Sequence, residues 1–287
     1  MTRAVAFALA LLPLTACPQI DYEIIPQWMP SPLERLGCDP ADSIGALPED
    51  RPVAVCSASN VEMNPIFDET NFMGQESYDP NGNPIVDYQW TLVETPTGST
   101  APIGEGVQNR YGFSPDMAGN YIAQLIVTND QCVMSDPCEV SIRAVPAEDL
   151  WIEMHWEKPG DDMDLHLVEG PAAVESDGDC YYGNCVESDY GPDFGDGNFD
   201  GDDPHLDLDD IDGTGPENIN VYAPASGIYK VIVHDYPGSV RQGDNDVTVK
   251  IHLAGELVFE ETRTISGEDK YVPFAEIEWP TMAVRSL

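Results

Sequence analysis

The chain has 287 residues, enough for about two domains. Its 52 acidic residues against 12 basic ones give a formal net charge of -40. A surface of that sign repels nucleic acid and anionic membrane faces, and it favours divalent cations, basic proteins and neutral ligands.

Met1-Thr2-Arg3 is a short basic start, Ala4 to Leu14 is apolar, and Leu14-Thr15-Ala16-Cys17 follows. The apolar run is too short to span a bilayer as a helix. The stretch resembles a bacterial lipoprotein signal, with an ordinary cleaved signal peptide as the alternative. The resemblance implies that residues 1–16 are removed, that Cys17 carries lipid, and that the protein sits on the cell envelope, at the outer membrane or cell surface. Several acyl chains give the stable attachment that one would not. Residues 17–50 are then the lipidated Cys and a Pro-rich tether.

Beyond Cys17 there are six cysteines, Cys38, Cys56, Cys132, Cys138, Cys180 and Cys185. An even set in an exported chain predicts three disulfides, and the sequence leaves the fifteen possible pairings open. Cys180 with Cys185 is the expected pair, since Gly183-Asn184 between them supplies a turn.

From Arg51 onward short alternating strands replace the tether. Val86-Asp-Tyr88-Gln-Trp90-Thr-Leu92 alternates, Tyr121 to Val127 is a buried run, and Glu139 to Ile142 closes the set before Val145-Pro146. About seven such strands predict an Ig-like sandwich over 51–146. Gly74-Gln-Glu-Ser-Tyr-Asp79-Pro80-Asn-Gly82, Tyr88-Gln-Trp90, Phe113-Ser-Pro-Asp116-Met-Ala-Gly119-Asn-Tyr121 and Val127-Thr-Asn-Asp130 resemble a PKD domain. Asn81 and Asn83 stand where that family has aspartates. The resemblance implies a non-catalytic spacer or contact module with Trp90 and Tyr121 in its core.

A second unit is expected over 149–280. Ile152, Met154 and Trp156 alternate with Glu153, His155 and Glu157, which predicts one buried and one wet face. Asn218 to Tyr222, Gly227 to His234 and Asp246 to Leu253 are further strands, the last turning at Gly255 into a hairpin. No helical period occurs, so the fold class is all-β: two β-sandwich domains after the signal and tether, the second jelly-roll-like. Asp161-Asp162-Met-Asp164-Leu-His166-Leu, Cys180-Tyr-Tyr-Gly-Asn184, Leu206 to Ile219 and Gly227-x-Tyr229-x-Val-x-Val-His234-x-Tyr236 resemble the YfaP-type domain of bacterial secreted and surface proteins. That resemblance implies an exported β domain and assigns no activity.

Within this unit Asp193 to Glu217 holds nine aspartates and one glutamate with no lysine or arginine. Asp196-x-Asn198-x-Asp200-Gly201, with Asp207 at the twelfth position, follows the D-x-[DN]-x-[DN]-G calcium loop. Alternating oxygens curl round the ion and the glycine supplies the sharp turn. Asp209, Asp210 and Asp212, together with Asp162 and Asp164, are candidates for a second ion. The competing reading is a solvated acidic loop. Calcium is the only cofactor expected.

Tyr181, Tyr182, Tyr190, Phe194 and Phe199 surround this run. Tyr181, Tyr182 and Phe199 are candidate contacts for a sugar ring, the alternative being that they pack the loop onto the sandwich. His166, His234 and Asp164 could instead build the metal site of a surface hydrolase. No G-x-S-x-G, H-E-x-x-H or phosphate loop occurs, so no catalytic residues are assigned. The expected function is a lipid-anchored, calcium-stabilised binding or adhesion protein that contacts a glycan or a protein. A metal-dependent hydrolase and a purely structural envelope lipoprotein are the alternatives.

Overall fold

The computed structural model describes residues 37, 50–186, 191–195 and 201–287, and among these there are seventeen strands and no α-helix. The chain is an all-β sandwich protein. Its first seven strands are β1 (Ser57–Ala58), β2 (Glu62–Met63), β3 (Thr70–Met73), β4 (Ile85–Glu94), β5 (Arg110–Phe113), β6 (Gly119–Asn129) and β7 (Cys138–Ala144). They form a three-stranded sheet, β1-β3-β5, and a four-stranded sheet, β2-β7-β6-β4. Alternation along β6 turns Tyr121, Ala123, Leu125 and Val127 inward. There Phe72 lies 5.7 Å from Trp90 and 5.1 Å from Phe113, centroid to centroid. The Cys56–Cys138 disulfide joins the segment before β1 to the start of β7.

The remaining strands are β8 (Leu150–Trp156), β9 (Met163–Glu169), β10 (Asp179–Cys180), β11 (Pro204–Leu208), β12 (Glu217–Val221), β13 (Gly227–Asp235), β14 (Asn245–Leu253), β15 (Glu256–Ile265), β16 (Lys270–Trp279) and β17 (Ala283–Ser286). Two five-stranded sheets result, β10-β9-β13-β16-β17 and β11-β12-β8-β14-β15. Leu150, Ile152, Met154 and Trp156 meet Leu165, Leu167, Val231 and Val233 in a second core, separate from the first.

Strand β8 departs from the expected wet face, since all seven of its residues are buried. The outward face of its sheet is covered by loops of the first seven-strand unit. The Glu153 carboxylate accepts the Ala118 N–H (2.5 Å) and the Trp151 indole N–H (2.8 Å), and Lys250 donates to the Thr97 carbonyl. A residue with a Cβ at Gly98 would meet the His155 ring at 2.3 Å, so glycine is required for this approach. Burial, helped by Lys250, lowers the His155 pKa to about 4. At the far end of β8 the turn is tied within its own unit, where Asn245 Nδ2 donates both to the Lys158 carbonyl and to Asp161.

The β9 side of the opposite sheet's outer face is covered by residues 170–186, with Asp179 and Tyr181 against His166. That excursion returns through β10, and the Cys180–Cys185 disulfide closes it as the sequence expects. Cys132 is also disulfide-bonded.

Candidate metal centre

Three carboxylates from three separate segments meet at one corner of the second core. Asp164 is the second residue of β9, Asp209 follows β11, and Glu217 opens β12. One oxygen of each lies within 4.8 Å of the other two. Local structure explains the meeting. Strand β10 pairs with β9 only at Leu167 and Val168, and the Leu165 amide beyond its end donates to Glu217 Oε2 at 2.7 Å. The loop leading into β12 is held by Asp210, whose carboxylate accepts the N–H groups of Gly213 (2.9 Å) and Gly215 (2.7 Å). Trp156 adds two bonds, from its amide to the Thr214 carbonyl and from its indole to the Gly213 carbonyl. Gly215 has a φ of +84°, and a Cβ there would stand 3.0 Å from the Met154 carbonyl oxygen, so only glycine lets the loop lie on β8.

Carboxylates this close oppose one another unless a proton or a cation sits between them. Glu217 is wholly buried, and its Oε1 has no hydrogen-bond partner. Asp162 Oδ1 is likewise buried without one, and Asp164 Oδ2 meets His234 Nδ1 at 3.5 Å. Burial, then Asp164, raises the Glu217 pKa well above the usual range. Burial and then Asp164, Asp209, Asp212 and Asp161 push Asp162 up to about 7. Burial also raises Asp164 and Asp209, although His234 Nδ1, 3.5 Å from Asp164 Oδ2, partly offsets the effect on Asp164. Among the described residues no lysine or arginine pairs with Asp162, Asp164, Asp209 or Glu217. A hard divalent cation suits such an all-oxygen set, because calcium takes six to eight oxygens and favours carboxylates.

No family model matches the chain, and no curated protein matches it.

Of the residues singled out in the sequence, Asp162, Asp164 and Asp209 gather here, with Asp212 close enough to act on Asp162. Asp210 is engaged in its own turn. Asp207 lies on β11, where Asn220 Nδ2 donates to its carboxylate. Asp196, Asn198, Asp200, Phe199 and Tyr190, like Cys17 and Cys38, lie outside the described residues. Glu217 is the member of this carboxylate group that sequence reasoning missed. It is the one glutamate of the acidic run, yet as the first residue of a strand it reads as a strand end rather than a loop ligand. Phe194, expected around the loop, is instead fully buried in the core, 6.1 Å from Tyr229.

The histidines form a different assembly on the outer face of β9 and β13. Strand register sets His234 opposite Asp164 and His166 opposite Ile232, and the two imidazole centroids are 6.0 Å apart. His166 Nδ1 donates to Asp179 at 2.7 Å, with both side chains fully buried. Tyr181 stacks on His166 and Tyr271 stacks on His234. Tyr182 packs edge-on between Tyr181 and Tyr236. Tyr181 and Tyr182 thus serve as the cover of this face. Burial alone would lower the His234 pKa, but Asp164 and Asp269 hold it above its ordinary value. Among the described residues no group that includes a histidine brings three ligand atoms within 4.8 Å of one another, and His166 and His234 each face a different carboxylate, Asp179 and Asp164.

Proposed function

We propose that the chain is a lipid-anchored cell-surface binding protein whose second β-sandwich is stabilised by calcium held by Asp164, Asp209 and Glu217, with Asp162 beside them. The convergence of their oxygens within 4.8 Å, with buried oxygens left unpartnered, supports this reading. The first sandwich is the PKD-like spacer suggested by its motifs, and the second is the YfaP-type unit that meets a glycan or protein partner. Calcium would be a structural ion: it neutralises the corner where three chain segments meet, and it ties the acidic loop to the sandwich. Lipid on Cys17 would place the protein on the bacterial envelope.

Titration calorimetry of calcium into chelator-stripped protein, residues 18–287, tests the ion. Saturable binding that Glu217→Gln abolishes supports the reading, whereas binding unaffected by that change refutes it. Labelling with a palmitate analogue, lost in Cys17→Ala, tests the anchor.

A further inference from the structure

We propose that the calcium corner opens into a groove between the two sandwiches that binds a neutral carbohydrate, with sugar hydroxyls completing the coordination of the ion. The inference rests on the calcium reading above and adds the ligand class and the place where it sits.

Calcium needs six to eight oxygens, and one oxygen from each converging carboxylate fills three of those positions. Glu217 Oε2 already accepts the Leu165 amide, which turns that oxygen toward β9 and favours a one-oxygen grip through Oε1. About three to five positions remain for Asp162 and for groups from outside. Glu217 and Asp164 are buried, so the access is on the side of Asp209, the exposed member. Asp209 lines a cleft with Thr100, Pro159, Leu208 and Pro216. Through Thr100, Asp116 and Leu208 that cleft runs on into a second one, bounded by Phe67, Pro102 and Pro115.

The charges of the groove select the occupant. Neither stretch is lined by a lysine or arginine. Among the acids that line it, Asp116 accepts from Ser99, Thr100 and Tyr121, Asp207 from Asn220, and Asp210 from its own loop. Asp209 is the one turned toward the ion position. One calcium against Asp162, Asp164, Asp209 and Glu217 leaves the corner negative, so a carboxylate or phosphate ligand is repelled. Hydroxyl oxygens meet calcium's demand without adding charge. The walls fit the rest of a sugar: prolines and Leu208 face its C–H surface, and Phe67, 52% exposed, offers an aromatic face about which a pyranose ring can pack.

The test uses residues 18–287 with mannan, galactan and dextran as neutral probes and dextran sulfate as the anionic one, each with calcium and with chelator. Calcium binding is measured first by calorimetry. The expected result is retention of at least one neutral polysaccharide in calcium, lost in chelator, with dextran sulfate not retained. Phe67→Ala should weaken retention by roughly tenfold, and Thr100→Arg should abolish it, both with calcium binding unchanged. Calcium binding without retention of any neutral probe, or retention indifferent to both groove variants, overturns the inference and leaves the ion site standing. Preference for dextran sulfate overturns the charge argument. Failure to bind calcium removes the foundation of both readings.

Discussion

Replacing Glu217 by glutamine separates a calcium site from an acidic loop by opposite effects in two buffers. Glu217 and Asp164 are both buried, with facing oxygens no more than 4.8 Å apart. At an effective dielectric constant of about 20 two charges at that distance repel by about 3.5 kcal/mol. That is a large fraction of the roughly 5–15 kcal/mol by which a domain is stable. Without calcium burial and this repulsion favour a proton on the pair, and both raise the Glu217 pKa. Glutamine is a close uncharged match for that protonated acid. In chelator at pH 7 the variant should unfold within about 1 kcal/mol of the parent. Calcium at a hundredfold excess over its dissociation constant stabilises the parent by about 2.7 kcal/mol, which is about 5–11 °C in midpoint for a chain of this size class. The variant has lost a charged ligand and should gain little from calcium. Differential scanning fluorimetry in calcium and in chelator reads both effects. An equal calcium-dependent rise in parent and variant refutes the reasoning, and so does a loss of several kcal/mol in chelator alone.

Three further outcomes follow from the same structure. Burial and neighbouring carboxylates raise Asp162 to about 7 and Asp235 to about 6; the folded ion-free protein then holds protons that unfolded carboxylates, with pKa near 4, release. Their contribution to stability is full below about pH 4 and is lost as pH rises through about 6 to 7, so the urea midpoint in chelator should fall from pH 5 to pH 8, and calcium should flatten that slope. Cys180→Ala with Cys185→Ala removes a bridge of sequence separation 5 and should cost about 2 kcal/mol in chemical denaturation, with loss of amide protection over residues 179–185; an unchanged midpoint contradicts the role given to that cover. Glu153→Ala leaves the Ala118 amide and the Trp151 indole without their acceptor, at a cost of about 1–3 kcal/mol, and small-angle scattering should report a more extended particle. Unchanged stability and dimensions would show that Glu153 does not latch the two units.

Much of the fold is legible in the sequence because strand alternation is a local signal. Val86 to Leu92 and Tyr121 to Val127 announce β4 and β6, and Gly255 announces the β14–β15 hairpin. What escapes is what distance in the chain conceals. The polar face of β8 reads as wet because Glu153 and His155 normally face water, yet loops around Thr97 and Ala118, more than thirty residues away, cover it. The same holds for the metal corner. A linear calcium motif draws attention to side chains two apart, whereas Asp164 and Glu217 come from strands of opposite sheets, β9 and β12, and Asp209 from the loop after β11. Asp162, Asp164 and Asp209 are visible as members of acidic runs, but Glu217 gains its place only because β10 stops short and leaves the Leu165 amide for it. His166 and His234 do approach each other as their sequence pattern suggests, but each is matched to its own carboxylate under a lid of tyrosines.

The central claim is an ion held between Asp164, Asp209 and Glu217, and a crystal structure grown in calcium tests it most directly. Anomalous difference density collected at long wavelength should show one calcium peak bounded by the three carboxylates, with oxygens at about 2.3–2.6 Å. Well-ordered carboxylates with no peak between them, in crystals that carry calcium elsewhere on the chain, would contradict the account.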